Sequence, residues 1–363
     1  YEFVESRGFI MDNTLSAVML GDEGMQSNLA GRLDNTHLSL SNSFLPVFEC
    51  VANSIHAIEE RKDISSLTDG KIVVEIERIP QTTLTEEDST KIPTILSISV
   101  TDNGIGFTDD NLKSFQTLDS VFKKEKGCRG VGRILWLKAF DSVEITSMYL
   151  KNNYEPNRRH FFFNKEKEVH NVVNEVLKEG FKYQTKIKLS NFLFKDKVNK
   201  KTPSIASDML EHFLWYFIRE EGVPHIEIYD NTLDSPIFLN DLYDKYISEN
   251  ITQEKITILE HEFVLFHLSL NGFSSINSVL WYCAEDRAVK KFPLIKNITG
   301  FFGKVNVDEK KTGYACMVSS KYLDEHVRAD RTGFDIEEES TEFFPDLLSY
   351  TTSNNVIFER ISE

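Results

Sequence analysis

The spacing of apolar residues along the chain changes between a helical and a strand-like period. After Pro46, apolar side chains recur every three or four residues from Phe48 to Ile58, which predicts an amphipathic helix of about four turns. Segments 71–77 and 94–101 instead alternate apolar and polar residues, as the strands of a sheet do. We expect these two strands to pair as a long hairpin.

More elements of both kinds follow. Thr108 precedes two aspartates and predicts a capped short helix that contains Leu112 and Phe115, and another helix is expected from Ile134, directly after glycines. Three further alternating segments predict strands, at 142–149, 158–163 and 183–189. The fold class that these elements predict is α+β, a sandwich with helices on one side of a mixed sheet.

The second half begins with an amphipathic helix that is predicted to run from Pro203 to Phe217. A series of strands then extends from His225 to about Phe334. A length of 363 residues suggests two domains. Glycines interrupt the weak pattern before the first helix, which favours an extended arm there. We expect an N-terminal arm (1–43), a first domain (44–200) and a second α/β domain (201–363).

Charge and composition make some classes of partner less favourable than others. The formal net charge of −16 repels nucleic acid, which could bind only through a local basic patch such as 158–160 or 195–201. Both stretches also fit solvated loops. No apolar run reaches the roughly 18 residues of a membrane span, so no membrane contact is expected. The four cysteines form no paired motif, which favours the cytoplasm over an oxidising compartment.

The predicted helix after Pro46 carries polar residues on one face. Glu49 and Asn53 are four residues apart, and His56 follows on the next turn. Such a face can present a proton acceptor together with an oxygen ligand for a metal. Glutamate and asparagine are also common on solvent-facing helices, so this motif alone leaves both interpretations open.

A second motif ends the strand at 94–101. Asp102 is followed by Asn103, Gly104, Ile105 and Gly106, and two glycines allow the backbone to turn and approach a ligand closely. A carboxylate held at this place can accept a hydrogen bond from an exocyclic amine, such as that of adenine. A simple turn that ends a strand is the alternative.

A third motif is a glycine-rich loop at 127–133 that leads directly into the helix expected from Ile134. The free amides of such a loop and the start of a helix form an anion site. Neighbouring lysines and arginines add positive charge to an otherwise acidic chain. The spacing fits neither a Walker loop nor a dinucleotide fingerprint.

In order and spacing, the three motifs resemble those of the GHKL superfamily: DNA gyrase B subunits, heat-shock chaperones of the ninety-kilodalton class, histidine kinases and MutL. The resemblance covers about residues 40–190. It implies a Bergerat-type fold in which Asn53 holds Mg²⁺, Asp102 recognises adenine, and the loop wraps the ATP phosphates beneath a lid over 108–126. The implied nucleotide-binding residues are Asn53, Asp102, Gly104, Gly106, Phe107, Lys126, Gly127, Arg129, Gly130, Val131, Gly132, Arg133 and Thr185.

The resemblance also implies catalytic roles. Hydrolysing members carry glutamate at the position of Glu49 as general base, whereas histidine kinases usually carry asparagine. Arg331 lies in a segment similar to the one that delivers a cation to the γ-phosphate in MutL and the chaperones, although a surface ion pair would also suit it. The chain departs from the hydrolysing branches at Ala52 and His56, where aspartate is frequent, so the tuning of the site stays open.

The expected function is therefore Mg-dependent binding and slow hydrolysis of ATP, which closes a lid, promotes a homodimer through the N-terminal arm and signals to a protein effector or client. A nucleotide-gated binding module with little hydrolysis is one alternative. A histidine-kinase-type catalytic module is another, and Glu49 disfavours it.

Overall fold

The computed structural model has an α+β fold in which helices pack on two mixed sheets. It describes residues 29–79, 92–117, 132–152, 154–195, 197–198, 200–247, 251–270, 278–284, 287–293, 305–307, 310–328 and 333–336. Among the helices of these segments, none is both long and apolar enough to cross a membrane.

The helices are α1 (Leu29–Asn35), α2 (Leu45–Glu59), α3 (Asp109–Gln116), α4 (Gly132–Ala139), α5 (Thr202–Ile218), α6 (Leu239–Tyr246) and α7 (Lys321–His326). The strands of the first sheet are β1 (Lys71–Arg78), β2 (Ile95–Asp102), β3 (Phe140–Lys151), β4 (Glu155–Asn164), β5 (Glu168–Val176), β6 (Gln184–Phe192), β7 (His225–Asp230) and β8 (Ile237–Phe238). Those of the second are β9 (Thr252–Ile258), β10 (His261–Leu270), β11 (Val279–Ala284), β12 (Arg287–Pro293), β13 (Val305–Val307) and β14 (Lys310–Ser319).

The first sheet has the strand order β5-β4-β3-β6-β2-β1-β7-β8. The predicted hairpin is confirmed, because β1 and β2 pair antiparallel with Val74 opposite Val100. On its other edge β1 pairs in parallel with β7, where Val74 lies opposite Ile228. The first sheet therefore extends past residue 200, where the domain boundary was expected.

The helix predicted after Pro46 is α2, and it is more deeply buried than an amphipathic surface helix would be. It packs on the sheet and on α4, and side chains of α5 contact another part of its surface. The ring of Phe48 lies 6.3 Å from that of Phe213 on α5, and His56 contacts Tyr216. Periodicity within α2 could not reveal this cover, because it comes from a helix about 150 residues away in sequence.

Most of the other helices and strands predicted before residue 200 are confirmed. Thr108 caps α3, with its hydroxyl oxygen accepting from the Asn111 amide at 3.3 Å. The helix expected from Ile134 begins at Gly132, and β3 begins directly where it ends, at Phe140. The edge strand β5 was missed, since most of its residues are exposed and give no alternation of buried positions.

The expected N-terminal arm includes an ordered helix. Leu29 and Leu33 of α1 are buried in the main core, where α1 packs on α4. Residues 1–28 lie outside the described residues. The stretch from residue 29 thus belongs to the packed body of the protein.

The second sheet follows the order β12-β11-β14-β10-β9, and β13 pairs with β14. The strand series expected over 225–334 is present, but α6 and α7 interrupt it. One face of this sheet shares the main core with α5, where the rings of Trp215 and Phe266 are 5.3 Å apart. The other face packs with α7 in a separate smaller core around Phe263 and Leu323.

A buried ion pair joins segments on both sides of residue 200. The Arg78 guanidinium donates to Asp230 Oδ2 at 2.6 Å, and both side chains are almost fully buried. Arg78 also donates to the Pro93 carbonyl at 2.7 Å and to Thr202 Oγ1 at 3.1 Å. Burial alone would raise the pKa of Asp230, but its hydrogen bonds from Arg78, Thr202 and Thr232 leave the pKa below its ordinary value.

We expect Arg78→Met to lower the free energy of unfolding by about 3 to 5 kcal/mol, because it leaves the Asp230 carboxylate buried without its partner. The control is Lys255→Met, which removes an ion pair between two exposed side chains, Lys255 and Glu262, and should change stability by less than about 1 kcal/mol. Urea unfolding measures both, and equal losses in the two variants would contradict this assignment.

Candidate functional site

A single line of half-buried side chains runs along α2. Between residues 46 and 58, every residue is buried except Glu49, Asn53 and Ala57. These three are spaced four apart, so they lie one above the other on the same face of the helix. The face that was predicted to carry a proton acceptor and a metal ligand is therefore the open face of an otherwise enclosed helix.

The turn after β2 packs against one end of this line. A Cβ atom on Gly104 would lie 2.7 Å from the backbone carbonyl carbon of Ala57, so only glycine fits there. The Ile105 amide donates to the Ala57 carbonyl at 2.8 Å. Gly106 has a φ of +82°, and the Phe107 amide after it donates to Ser147 Oγ at 2.9 Å.

The first residue of α4 packs against the other end. A Cβ atom on Gly132 would lie 3.0 Å from Glu49 Oε2. The start of a helix carries partial positive charge, which favours a carboxylate at this position. Asn53 thus lies between two glycine contacts, one to the turn after β2 and one to α4. The loop residues Lys126, Gly127, Arg129, Gly130 and Val131 lie outside the described residues.

Asp102 is a buried carboxylate with two hydrogen-bond donors. The Ser54 hydroxyl donates to Oδ2 and the Gly104 amide to Oδ1, each at 2.8 Å. Burial raises the pKa of Asp102 to about 6, although both hydrogen bonds oppose the increase. At neutral pH the group is therefore mostly ionised, and each oxygen keeps a lone pair that can accept from an amine.

Asp102 begins a row of polar residues that crosses the helix-bearing face of the first sheet. Strand register places Thr185 of β6 beside it, then Ser147 of β3, Arg159 of β4 and Asn174 of β5. The hydroxyls of Ser147 and Thr185 are 2.9 Å apart. Four of these five polar residues, all but Asn174, are buried on a face that is otherwise apolar, which makes this end of the sheet a candidate site for a polar ligand.

Arg133, a predicted site residue, and His56, whose role was left open, both have partners within the chain. Arg133 is buried, and its guanidinium donates to the carbonyls of Ser114 at 3.3 Å and Thr117 at 2.5 Å, at the end of α3. His56 contacts the Tyr216 hydroxyl at 3.1 Å and lies among buried residues of α2. Arg331 lies outside the described residues.

Sequence reasoning missed Ser54, Ser147 and Arg159, which contact the turn or its aspartate. A signal for two of them existed. Ser147 follows Val143 and Ile145 at alternate positions of β3, and Arg159 precedes Phe161 and Phe163 in the same way on β4. A polar residue at an inward-facing position is unusual enough to indicate a functional or structural site.

No protein-family model and no curated protein matches this chain. Membership of the GHKL superfamily therefore stays a prediction from the three motifs. In the structure, the described parts of these motifs meet along α2, although Glu49, Asp102 and Gly132 are far apart in sequence.

We expect Asp102→Asn to be more stable than the wild-type protein at pH 8, by up to about 3 kcal/mol at 1.36 kcal/mol per pKa unit. The folded-state pKa of about 6 lies above the ordinary value of 3.8, so the wild-type carboxylate destabilises the fold above pH 6. This disadvantage should shrink as pH falls through 6 and vanish below about 4. The amide can still accept from Gly104 and donate to Ser54.

Urea unfolding over this pH range is the measurement, and Asp234→Asn, at an exposed turn, is the matched control. A loss of stability in Asp102→Asn that stays constant with pH would refute the assignment.

Proposed function

We propose that this chain binds Mg-ATP and hydrolyses it slowly, with a Bergerat-type nucleotide site of the GHKL class. One observation carries the proposal: the open face of α2, with Glu49 and Asn53, lies between the turn after β2 (residues 102–108, the Asp102 turn) and the start of α4. This arrangement supports a site with a base-recognising end and a phosphate end. In such a site Asp102 recognises adenine, Asn53 holds the metal and Glu49 activates the water, as the resemblance implies.

The buried carboxylate supports adenine as the base. Ionised Asp102 accepts hydrogen bonds, and adenine presents an exocyclic amine where guanine presents a carbonyl oxygen. Guanine would place two acceptors against each other in a buried position, which is unfavourable. Thr185 and Ser147 lie next in the same row and can bond through an ordered water or directly to the base.

The phosphate end suits a magnesium nucleotide. Magnesium prefers oxygen ligands and is usually held by one or two protein groups together with phosphates and waters. Asn53 offers a half-exposed amide oxygen on the line beside Glu49. Within the described segments no group of three or more His, Cys, Asp or Glu residues could hold a metal by itself, which suits an ion that arrives with its nucleotide. The bound ion would neutralise charge on the phosphates.

For hydrolysis, Glu49 would accept a proton from the water that attacks the γ-phosphorus, as the bond to the ADP oxygen breaks. The start of α4 beside its carboxylate supports this role, because backbone amides there can face the phosphates. In this proposal the amides of Gly127, Gly130 and Gly132 bind the triphosphate and Arg331 contacts the γ-phosphate.

The packing of α5 supports a conformational switch. This helix contacts α2 through Tyr216 and His56, and the second sheet through Trp215 and Phe266. A change at α2 therefore has a direct route to the second sheet. ATP can drive such a change only if it binds one state more tightly. We propose that the ATP-bound state is a cytoplasmic homodimer that engages a protein effector or client.

We expect Glu49→Gln to lower phosphate release from Mg-ATP by about 100-fold or more while ATP affinity stays near the wild-type value, because only the proton acceptor is lost. Asp102→Asn should instead weaken ATP binding and reduce the preference for ATP over GTP. Glu166→Gln, at an exposed turn, is the control for both.

Phosphate release and equilibrium binding separate the outcomes. Turnover that is indifferent to Glu49→Gln would remove Glu49 from the mechanism. Tight ATP binding without turnover in the wild-type chain would favour a nucleotide-gated binding module. A phosphorylated protein product would favour a kinase-type module.

The dimer is tested separately by sedimentation with and without a non-hydrolysable ATP analogue. The analogue should shift the wild-type chain toward dimer, because it holds the ATP-bound state. The shift should be smaller in Asp102→Asn at the same analogue concentration. A monomer at high protein concentration with saturating analogue would contradict the dimer.

A further inference from the structure

Arg159 is a buried arginine whose hydrogen bonds converge on the end of the Asp102 turn. One guanidinium nitrogen donates to the carbonyls of Phe107 at 2.7 Å and Thr108 at 3.0 Å. A second pairs with Asp109 at 2.5 Å, and Nε donates to Asn174 at 2.6 Å. These contacts fix the guanidinium in one orientation, so it can hold the backbone after Gly106.

Arg61 makes an equivalent contact at the beginning of the turn. Its Nη1 donates to the Asn103 carbonyl at 2.7 Å. The other nitrogens form a bidentate pair with Asp63, at 2.9 and 2.5 Å. The side chain is 12% exposed, and its guanidinium lies 4.3 Å from the centre of the Tyr183 ring.

The two arginines share one pattern. Each pairs with an aspartate, lies over a tyrosine ring and donates to a backbone carbonyl at one end of the turn; for Arg159 the ring is that of Tyr149, at 4.8 Å. A planar guanidinium can serve several acceptors in fixed directions, which a lysine ammonium cannot do. The pKa values of both aspartates are lowered, chiefly by their hydrogen bonds from these arginines.

We propose that Arg61 and Arg159 are positioning residues of the nucleotide site, which set ATP affinity by holding the turn that carries Asp102, Gly104 and Gly106. This inference rests on the proposed function. Neither arginine needs to touch the nucleotide, because each acts through a backbone carbonyl. The turn has its own bonds to Ala57 and Ser147, so the arginines determine how rigid it is and not whether it forms.

Because the turn binds ATP and α2 carries the hydrolytic residues, loosening the turn should change one kinetic constant and not the other. Glu49 and Asn53 lie on α2, outside the turn, so loosening the turn should leave the hydrolysis step intact once ATP is bound. We expect KM and the ATP dissociation constant to rise about tenfold or more, while kcat at saturating ATP stays within about twofold. A general loss of folded protein would lower kcat for the whole preparation and would not produce this separation.

The experiment compares Arg159→Gln with Arg158→Gln. Arg158 is the next residue, but its side chain is 48% exposed and its ion pair to Glu175 is 3.9 Å long. Arg61→Gln is compared in the same way with the exposed Lys62→Gln. Weaker ATP binding is expected in Arg159→Gln and Arg61→Gln, with no change in the controls. Arg159→Lys should restore only part of the affinity.

Asp109→Asn and Asp63→Asn provide a second test that avoids a buried substitution. Both carboxylates are more than half exposed, so their loss should leave the fold intact while releasing one side of each guanidinium. An intermediate loss of ATP affinity is expected.

The outcomes distinguish a failure of the positioning role from a failure of ATP binding itself. ATP affinity that is equal in Arg159→Gln, Asp109→Asn and Arg158→Gln would overturn the inference for Arg159. The same result for Arg61→Gln and Asp63→Asn against Lys62→Gln would overturn it for Arg61. If the wild-type chain binds no ATP, the proposed function fails and this inference fails with it.

Discussion

The rest of the site depends on the close approach between α2 and the turn after β2. Because Gly104 lies against the Ala57 backbone, the buried strand β2 ends beside the one open face of α2. This contact brings Ser54 within 2.8 Å of Asp102 and places Ala57, one helical turn after Asn53, against the same turn. A side chain on Gly104 would force the two elements apart and separate the carboxylate from the helix.

The same contact buries the Asp102 carboxylate, and burial disfavours its charged form. The raised pKa of Asp102 means that folding at neutral pH proceeds despite this group and not because of it. The buried pair of Arg78 and Asp230 is different, because there an arginine compensates the charge fully. Proteins retain such unfavourable groups mainly where function requires them, which is why Asp102 marks the site more clearly than the other buried carboxylate.

Sequence patterns predicted what local spacing determines: the hairpin of β1 and β2, the helix α2 with Glu49 and Asn53, and the cap at Thr108. They could not predict the parallel pairing of β7 with β1, because that contact joins segments separated by about 150 residues. Arg61 and Arg159, the two arginines that contact the turn, were also missed. Arg159 was read as part of a basic stretch, yet its neighbours in the strand alternation show that it faces inward.

The most direct test of the central claim uses amide NMR of protein labelled only at its 17 glycines, titrated with Mg-ATP. Gly104, Gly106 and Gly132 should shift together and follow one saturation curve, because Gly104 and Gly132 border the open face of α2 and Gly106 lies in the same turn as Gly104. Gly180 and Gly222, where an added Cβ would meet no atom within 4 Å and therefore no part of α2, should stay unchanged. A shift confined to Gly313 in β14 of the second sheet, or no shifts at saturating Mg-ATP, would contradict a nucleotide site on α2.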